Sequence, residues 1–290
     1  MKKWIKITGI TAAVCIGAGL ICFVSGVFAG AKSGVFISRR GIELEGSAYS
    51  DERYGISQIK DIEIEADDAK VEIKPSQDDT FGYSVTYEDT HSTPQVTVDN
   101  GKIRIEEKSN GGFWILDFGF AALFGNRENV VTIYVPEKAA LDTVKIDTSN
   151  GKVTADAWFT TQNLNVQSDN GKIELMQMIC EKNAQVHCSN GKITVNAEFK
   201  GESLFSSNNG NVELAGAWEG TVTCKTNNGK IQVTAPKPES AYRVEAHTDN
   251  GSVYVNDNKV LNPYTAQNTQ ADTNLYAVSH NGSVRLEFAN

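Results

Sequence analysis

The sequence predicts an all-β fold, a parallel β-solenoid with coils of about 20 residues and Asn-Gly corners, preceded by one N-terminal transmembrane helix. Three observations predict it. An Asn-Gly pair recurs at Asn100-Gly101, Asn150-Gly151, Asn170-Gly171, Asn190-Gly191, Asn209-Gly210, Asn228-Gly229, Asn250-Gly251 and Asn281-Gly282. From Gly151 to Gly251 the steps between glycines are 20, 20, 19, 19 and 22 residues, the mark of a repeat architecture. Residues two and four places after each Gly, such as Ile173 and Leu175 or Val212 and Leu214, are apolar without exception, and those five and three places before it, such as Val166 and Ser168, form two further columns of apolar or small residues. Alternation of period two on both sides of a corner reads strand, corner, strand. Asn and Gly suit the corner because both tolerate positive φ.

Two architectures carry this pattern. Asn-Gly is also the favoured type I′ hairpin turn, which would put Val166 opposite Leu175 in an antiparallel pair. A string of hairpins leaves one apolar face that nothing else in the chain covers, and a closed barrel of so many strands is too wide for these side chains to fill. In a solenoid the strands on either side of a corner face each other across one coil, and equivalent positions stack on the next coil about 4.8 Å away. Ile173 then touches Ile193, and Ile193 touches Val212.

Taken in order, residues 7–31 form 25 positions without a charge after Lys2, Lys3 and Lys6. That length suits a single membrane span, with a cleaved signal ending near Ala29-Gly30-Ala31 as the alternative. Cys15 and Cys22 follow Val14 and Ile21, which argues against lipoprotein attachment. Lys32, Arg39 and Arg40 balance the N-terminal lysines, so flanking charge barely chooses an orientation; the Asn- and Thr-rich repeat favours an extracytoplasmic domain at the cell membrane. Residues 32–58 read as a connector and 59–290 as the repeat domain. Ile62, Ile64, Asp68, Ala69, Val71 and Ile73 reproduce the spacing with Asp-Ala in the corner, a degenerate first coil of the kind that caps an open end. Asn110-Gly111 lacks the flanking columns and reads as a plain turn.

An apolar insertion, 112–125, interrupts the repeat with Phe113, Trp114, Ile115, Leu116, Phe118, Phe120 and Phe124. It reads either as a lid over an exposed strand edge or as a membrane or partner contact. Trp158, Met178, Phe199 and Trp218 recur seven or eight residues after a corner and are expected to fill the far end of each coil. A polar insertion, 256–274, precedes the last corner.

The search for chemistry is mostly negative. His187 and His247 share an outward column three coils apart, too far to hold one metal. Glu174 and Glu213 share another, two coils apart and about 10 Å by strand spacing, with Thr194 between them and no cleft implied. The outward lysines Lys102, Lys152, Lys172, Lys192 and Lys230 read as a solvated face with acidic neighbours rather than an anion site. Asp99, Asp169 and Asp249 precede corners but match no calcium repeat. No catalytic, cofactor-binding or metal site is expected. A net charge of −9 disfavours nucleic acid. Cys188 and Cys224 lie two coils apart, beyond disulfide reach, so Cys180, Cys188 and Cys224 are expected as free, buried thiols.

The segments IEIEADDAKVEIKPS and VTIYVPEKAALDTVKIDTSNGKVTA, with the recurring SNGKI and DNGKI corners, resemble a bacterial β-strand-repeat family of unknown function often labelled "putative adhesin". The resemblance spans roughly Ile59 to Phe288 and implies a cell-envelope protein, some members standing beside envelope-stress response systems. It supplies no catalytic residues. Two functions are then expected: a membrane-anchored, non-catalytic scaffold or adhesin-like module for an envelope protein or glycan, or an envelope-stress sensor that binds a peptide, a lipid or a membrane partner.

Overall fold

The computed structural model describes scattered helical residues between 8 and 25, and residues 34–38, 41–44, 49–87, 92–109, 112–117 and 128–289. The proposed span 7–31, the Asn110-Gly111 turn, and Phe118, Phe120 and Phe124 lie wholly or largely outside them. Among the described residues no helix is long and apolar enough to cross a membrane.

Two compact units divide the chain. The larger comprises Tyr49–Tyr87, Ser92–Lys108 and Glu128–Asn290. Its strands form two stacks of parallel partners, one before the corners and one after. In the stack before the corners, Asp61–Ala66 pairs with Ala139–Thr148, which pairs with Phe159–Ser168, and the series continues through residues 183–188, Glu202–Ser207 and Thr221–Asn228. In the stack after them, Ala69–Pro75, Val153–Asp156, residues 173–180, Ile193–Phe199, Val212–Trp218 and Ile231–Ala235 follow one another. Val166 aligns with Val186, and Ile173 with Ile193 and then Val212, so copy lies on copy. Val166 and Leu175 are not partners, which settles the choice against consecutive hairpins. The apolar columns from both stacks are buried in one continuous core. Each buried Val, Ile or Leu contributes about 1.5–3 kcal/mol by leaving water.

Three features depart from the sequence expectations. The first concerns Asn100-Gly101. Both residues have positive φ, 50° and 76°, the signature of a two-residue type I′ turn. The strand it starts, Lys102–Ser109, stacks on Asp61–Ala66, with Ile103 beside Ile62 and Ile105 beside Ile64. Ile103 and Ile105 thus extend the column before the corners, and the degenerate coil at Asp68-Ala69 stacks directly on the coil at Gly151.

The second is the order of coils. Thr273–Asn281 pairs with Thr221–Asn228 on one side and Tyr242–Asn250 on the other; Val284–Phe288 likewise separates Ile231–Ala235 from Val253–Val255. The last coil in the chain is therefore the last but one in the stack. Tyr264–Ala266 and Asn258–Lys259, both within the polar insertion, pair antiparallel with the outermost coil. They cover edges that would otherwise invite strand addition.

The third is Trp158, which is 52% exposed, whereas Met178, Phe199 and Trp218 are buried. In that coil Phe159, fully buried, takes the interior place.

The smaller unit comprises Met1–Ala48, Glu88–His91 and Ser109–Arg127. Its strands Gly34–Ser38, Gly41–Leu44 and Gly112–Asp117 form an antiparallel sheet with Gly34–Ser38 in the middle. The first part of the apolar insertion thus pairs with the chain just beyond residue 31, with Phe36 opposite Trp114 and Ile37 opposite Phe113.

Candidate functional site

The corners and the two outward faces are surfaces that the larger unit offers. At the corners glycine has a reason other than the one expected. Gly151, Gly171, Gly191, Gly210, Gly229 and Gly251 do not have positive φ. What they need is room: a Cβ on Gly171 would lie 1.8 Å from the Gly151 carbonyl oxygen, and one on Gly210 would lie 1.9 Å from that of Gly191. The asparagines form a ladder. Asn150 donates from Nδ2 to Asp68 Oδ1 at 2.6 Å, Asn170 to Asn150 at 2.8 Å, Asn190 to Asn170 at 3.0 Å and Asn209 to Asn190 at 2.8 Å. Asn228, Asn281 and Asn250 continue it in the spatial order of the coils. Behind them a buried second ladder runs from side chain to backbone. Ser168 Oγ donates to the Gly151 carbonyl at 3.2 Å, Cys188 Sγ to that of Gly171 at 2.9 Å and Thr226 Oγ1 to that of Gly210 at 2.9 Å.

On the outward face after the corners the carboxylates Glu174 and Glu213 are held by lysines, while Lys230 has no acidic partner among the described residues. Glu174 lies between Lys152, at 2.5 Å, and Lys172, and Glu213 pairs with Lys192 at 2.5 Å. Hydrogen bonds from Lys152 and Lys172 hold the Glu174 carboxyl below the usual glutamate range, opposite to what a general acid requires. Thr194 stands between the two carboxylates in the stack, as expected. Lys102 is not part of this face; it pairs with Glu63 across from Lys145.

The outward face before the corners differs in chemistry. Asn165, Gln185, Leu204 and Thr223 are stacked partners in one column, followed by Tyr276 and Glu245. Around Gln185, Leu204 and Thr223 the surface sinks into an open groove of about 470 Å³ that also meets Asn183, Glu202 and Lys225. Sequence reading missed this groove, although Asn165, Gln185, Leu204, Thr223 and Tyr276 make a run of uncharged residues in the outward column before the corners.

His187 and His247 lie four stacking steps apart, through Ser206, Lys225 and Val278, because the last coil intervenes. His187 Nδ1 meets Ser206 Oγ at 2.9 Å, and His247 Nε2 meets Asp249 Oδ1 at 2.7 Å. Among the described residues no cluster of His, Cys, Asp or Glu has the arrangement of a metal site. Cys180, Cys188 and Cys224 are free and buried, and burial pushes the Cys224 thiol up to about 12.

The family model described as Toastrack DUF4097 matches residues 59–218 and 159–290, together most of the chain. The chain belongs to this family. A solved structure named a "putative adhesin", from Bacteroides fragilis, is 13% identical to this Toastrack chain, with a TM-score of 0.51 over 84% of this chain and 97% of that one. It shares the fold. A "putative lipid binding protein" from Parabacteroides distasonis is 16% identical with a TM-score of 0.44, covering 84% of the Toastrack chain and 98% of its own. A search of curated proteins finds no match.

Proposed function

We propose that this chain is a membrane-tethered, extracytoplasmic, non-catalytic binding module of the bacterial cell envelope. In this reading residues 7–31 cross the bilayer, and the segment bearing Phe113, Trp114, Ile115, Leu116, Phe118, Phe120 and Phe124 meets the membrane or a membrane partner. The observation that carries it is the pairing of Gly112–Asp117 with Gly34–Ser38. That pairing keeps the backbone of the apolar segment within about one strand spacing, 4.8 Å, of chain lying a few residues beyond the uncharged run. A sequence this apolar beside a membrane span is disposed to enter the interface. The stacked coils supply the rigid ladder of side chains that a recognition module presents.

The same pairing favours a second reading, a sensor of envelope stress, because strand hydrogen bonds couple the apolar segment to the connector that follows the span. The two readings differ in the partner.

A photo-crosslinking side chain at Trp114 of the full chain in its native membrane tests both. Adducts to lipid, or to a membrane protein, are expected, with a signalling protein favouring the sensor. Adducts confined to residues 49–289 of the same chain would make the segment a lid and overturn the contact.

A further inference from the structure

We infer that the groove on the face before the corners binds a short, uncharged saccharide. This rests on the binding-module reading and adds the site and the ligand class.

Gln185, Leu204, Thr223 and Tyr276 are successive stacked partners, so the column spans three strand spacings, about 14 Å. Its ends, Gln185 and Tyr276, are exposed, while Leu204 and Thr223 between them are half-buried. The groove's volume, about 470 Å³, is that of a small-ligand site.

Its polar groups are uncommitted. Among the described residues the side chains of Gln185, Glu202, Thr223 and Lys225 have no hydrogen-bond or ion-pair partner, whereas Glu174 and Glu213 on the other face are held by lysines. Glu202 and Lys225 cancel in charge, which selects against polyanions and polycations alike. An extended peptide gains little here, since each of these strands already pairs with a neighbour on both sides and leaves no backbone edge. An acyl chain would find one large aliphatic side chain, Leu204. Sugar rings meet both requirements. Their C–H faces pack on the Leu204 and Thr223 methyls, with the Tyr276 ring one strand beyond Thr223, and their hydroxyls donate to the Glu202 carboxylate and both donate to and accept from the Gln185 amide and the Thr223 hydroxyl.

Saturation-transfer NMR on the full chain in lipid nanodiscs, with chitotriose, cellotriose and maltotriose as probes, tests the inference. Transfer to ring protons of at least one trisaccharide is expected. Thr223→Trp, which fills the groove, should weaken that binding about tenfold or more, equivalent to 1.4 kcal/mol. Gln185→Ala, at an exposed side chain, should weaken it as well, and Lys152→Ala on the other face should not. No transfer to any of the three, transfer unchanged in both groove variants, or an equal loss in Lys152→Ala, overturns the assignment. The Trp114 crosslink does not depend on the groove, so its persistence in that case would leave the binding-module reading standing.

Discussion

At Gly171 the nearest obstacle to a side chain is a backbone carbonyl of the preceding coil, an atom that cannot swing aside. With a Cβ only 1.8 Å from that oxygen, Gly171→Ala must push two coils apart and should cost more than the about 1–3 kcal/mol of an ordinary overpacked methyl. Asn190→Ala removes two hydrogen bonds from an exposed ladder, and each contributes only about 0.5–1.5 kcal/mol net in water. Denaturant titration of the two variants should place the glycine midpoint well below the asparagine midpoint; the reverse order would make the amide ladder, rather than close backbone approach, the reason for the corner. The residue types were legible in the sequence, but their physical reason was not. A glycine selected for positive φ and one selected for room look alike as letters, and of the corner glycines Gly101 and Gly282 alone have positive φ, 76° and 158°.

The elements repeat, and repetition hides their order. The coils at Gly229, Gly251 and Gly282 carry the same columns, Cys224, Ala246 and Ala277 in one and Thr226, Thr248 and Ser279 in another, so each is an acceptable neighbour for either of the others. A cysteine pair tests the arrangement: Lys225→Cys with Val278→Cys should form an intrachain disulfide, because these residues are direct partners, whereas Lys225→Cys with His247→Cys should not. Oxidation followed by peptide mass mapping distinguishes them, and a bond from position 225 to 247 would restore sequential stacking. The coil itself was readable from period and alternation, down to the alignment of Ile173, Ile193 and Val212. The pairing of Gly112–Asp117 with Gly34–Ser38 was not, since two short apolar runs about 75 residues apart carry no register signal. The groove escaped for another reason: it arises from side-chain length across three coils, and each coil alone is unremarkable in composition.

For the whole molecule, surface charge sets the response to acid. Hydrogen bonds from Lys102 and Lys145 hold the Glu63 carboxyl below its ordinary value of 4.5, as those from Lys152 and Lys172 hold Glu174. Groups lowered on folding contribute stability that is complete above the unfolded value and disappears as pH falls through the folded one. Thermal unfolding should accordingly be insensitive to pH between about 6 and 8 and move to lower temperature below about 4.5. Each pair is part-exposed, so 1 M salt should weaken the effect. A melting temperature that rises on acidification would show that these ion pairs oppose the fold.

The position of the final coil has a consequence for biosynthesis. A chain made from its N-terminus delivers residues 242–255 before residues 273–288, yet the later segment occupies the inner rung. The outermost rung cannot take its final seat until residues 273–288 have been made and have slipped beneath it, so this stack is not completed in the order in which the chain grows.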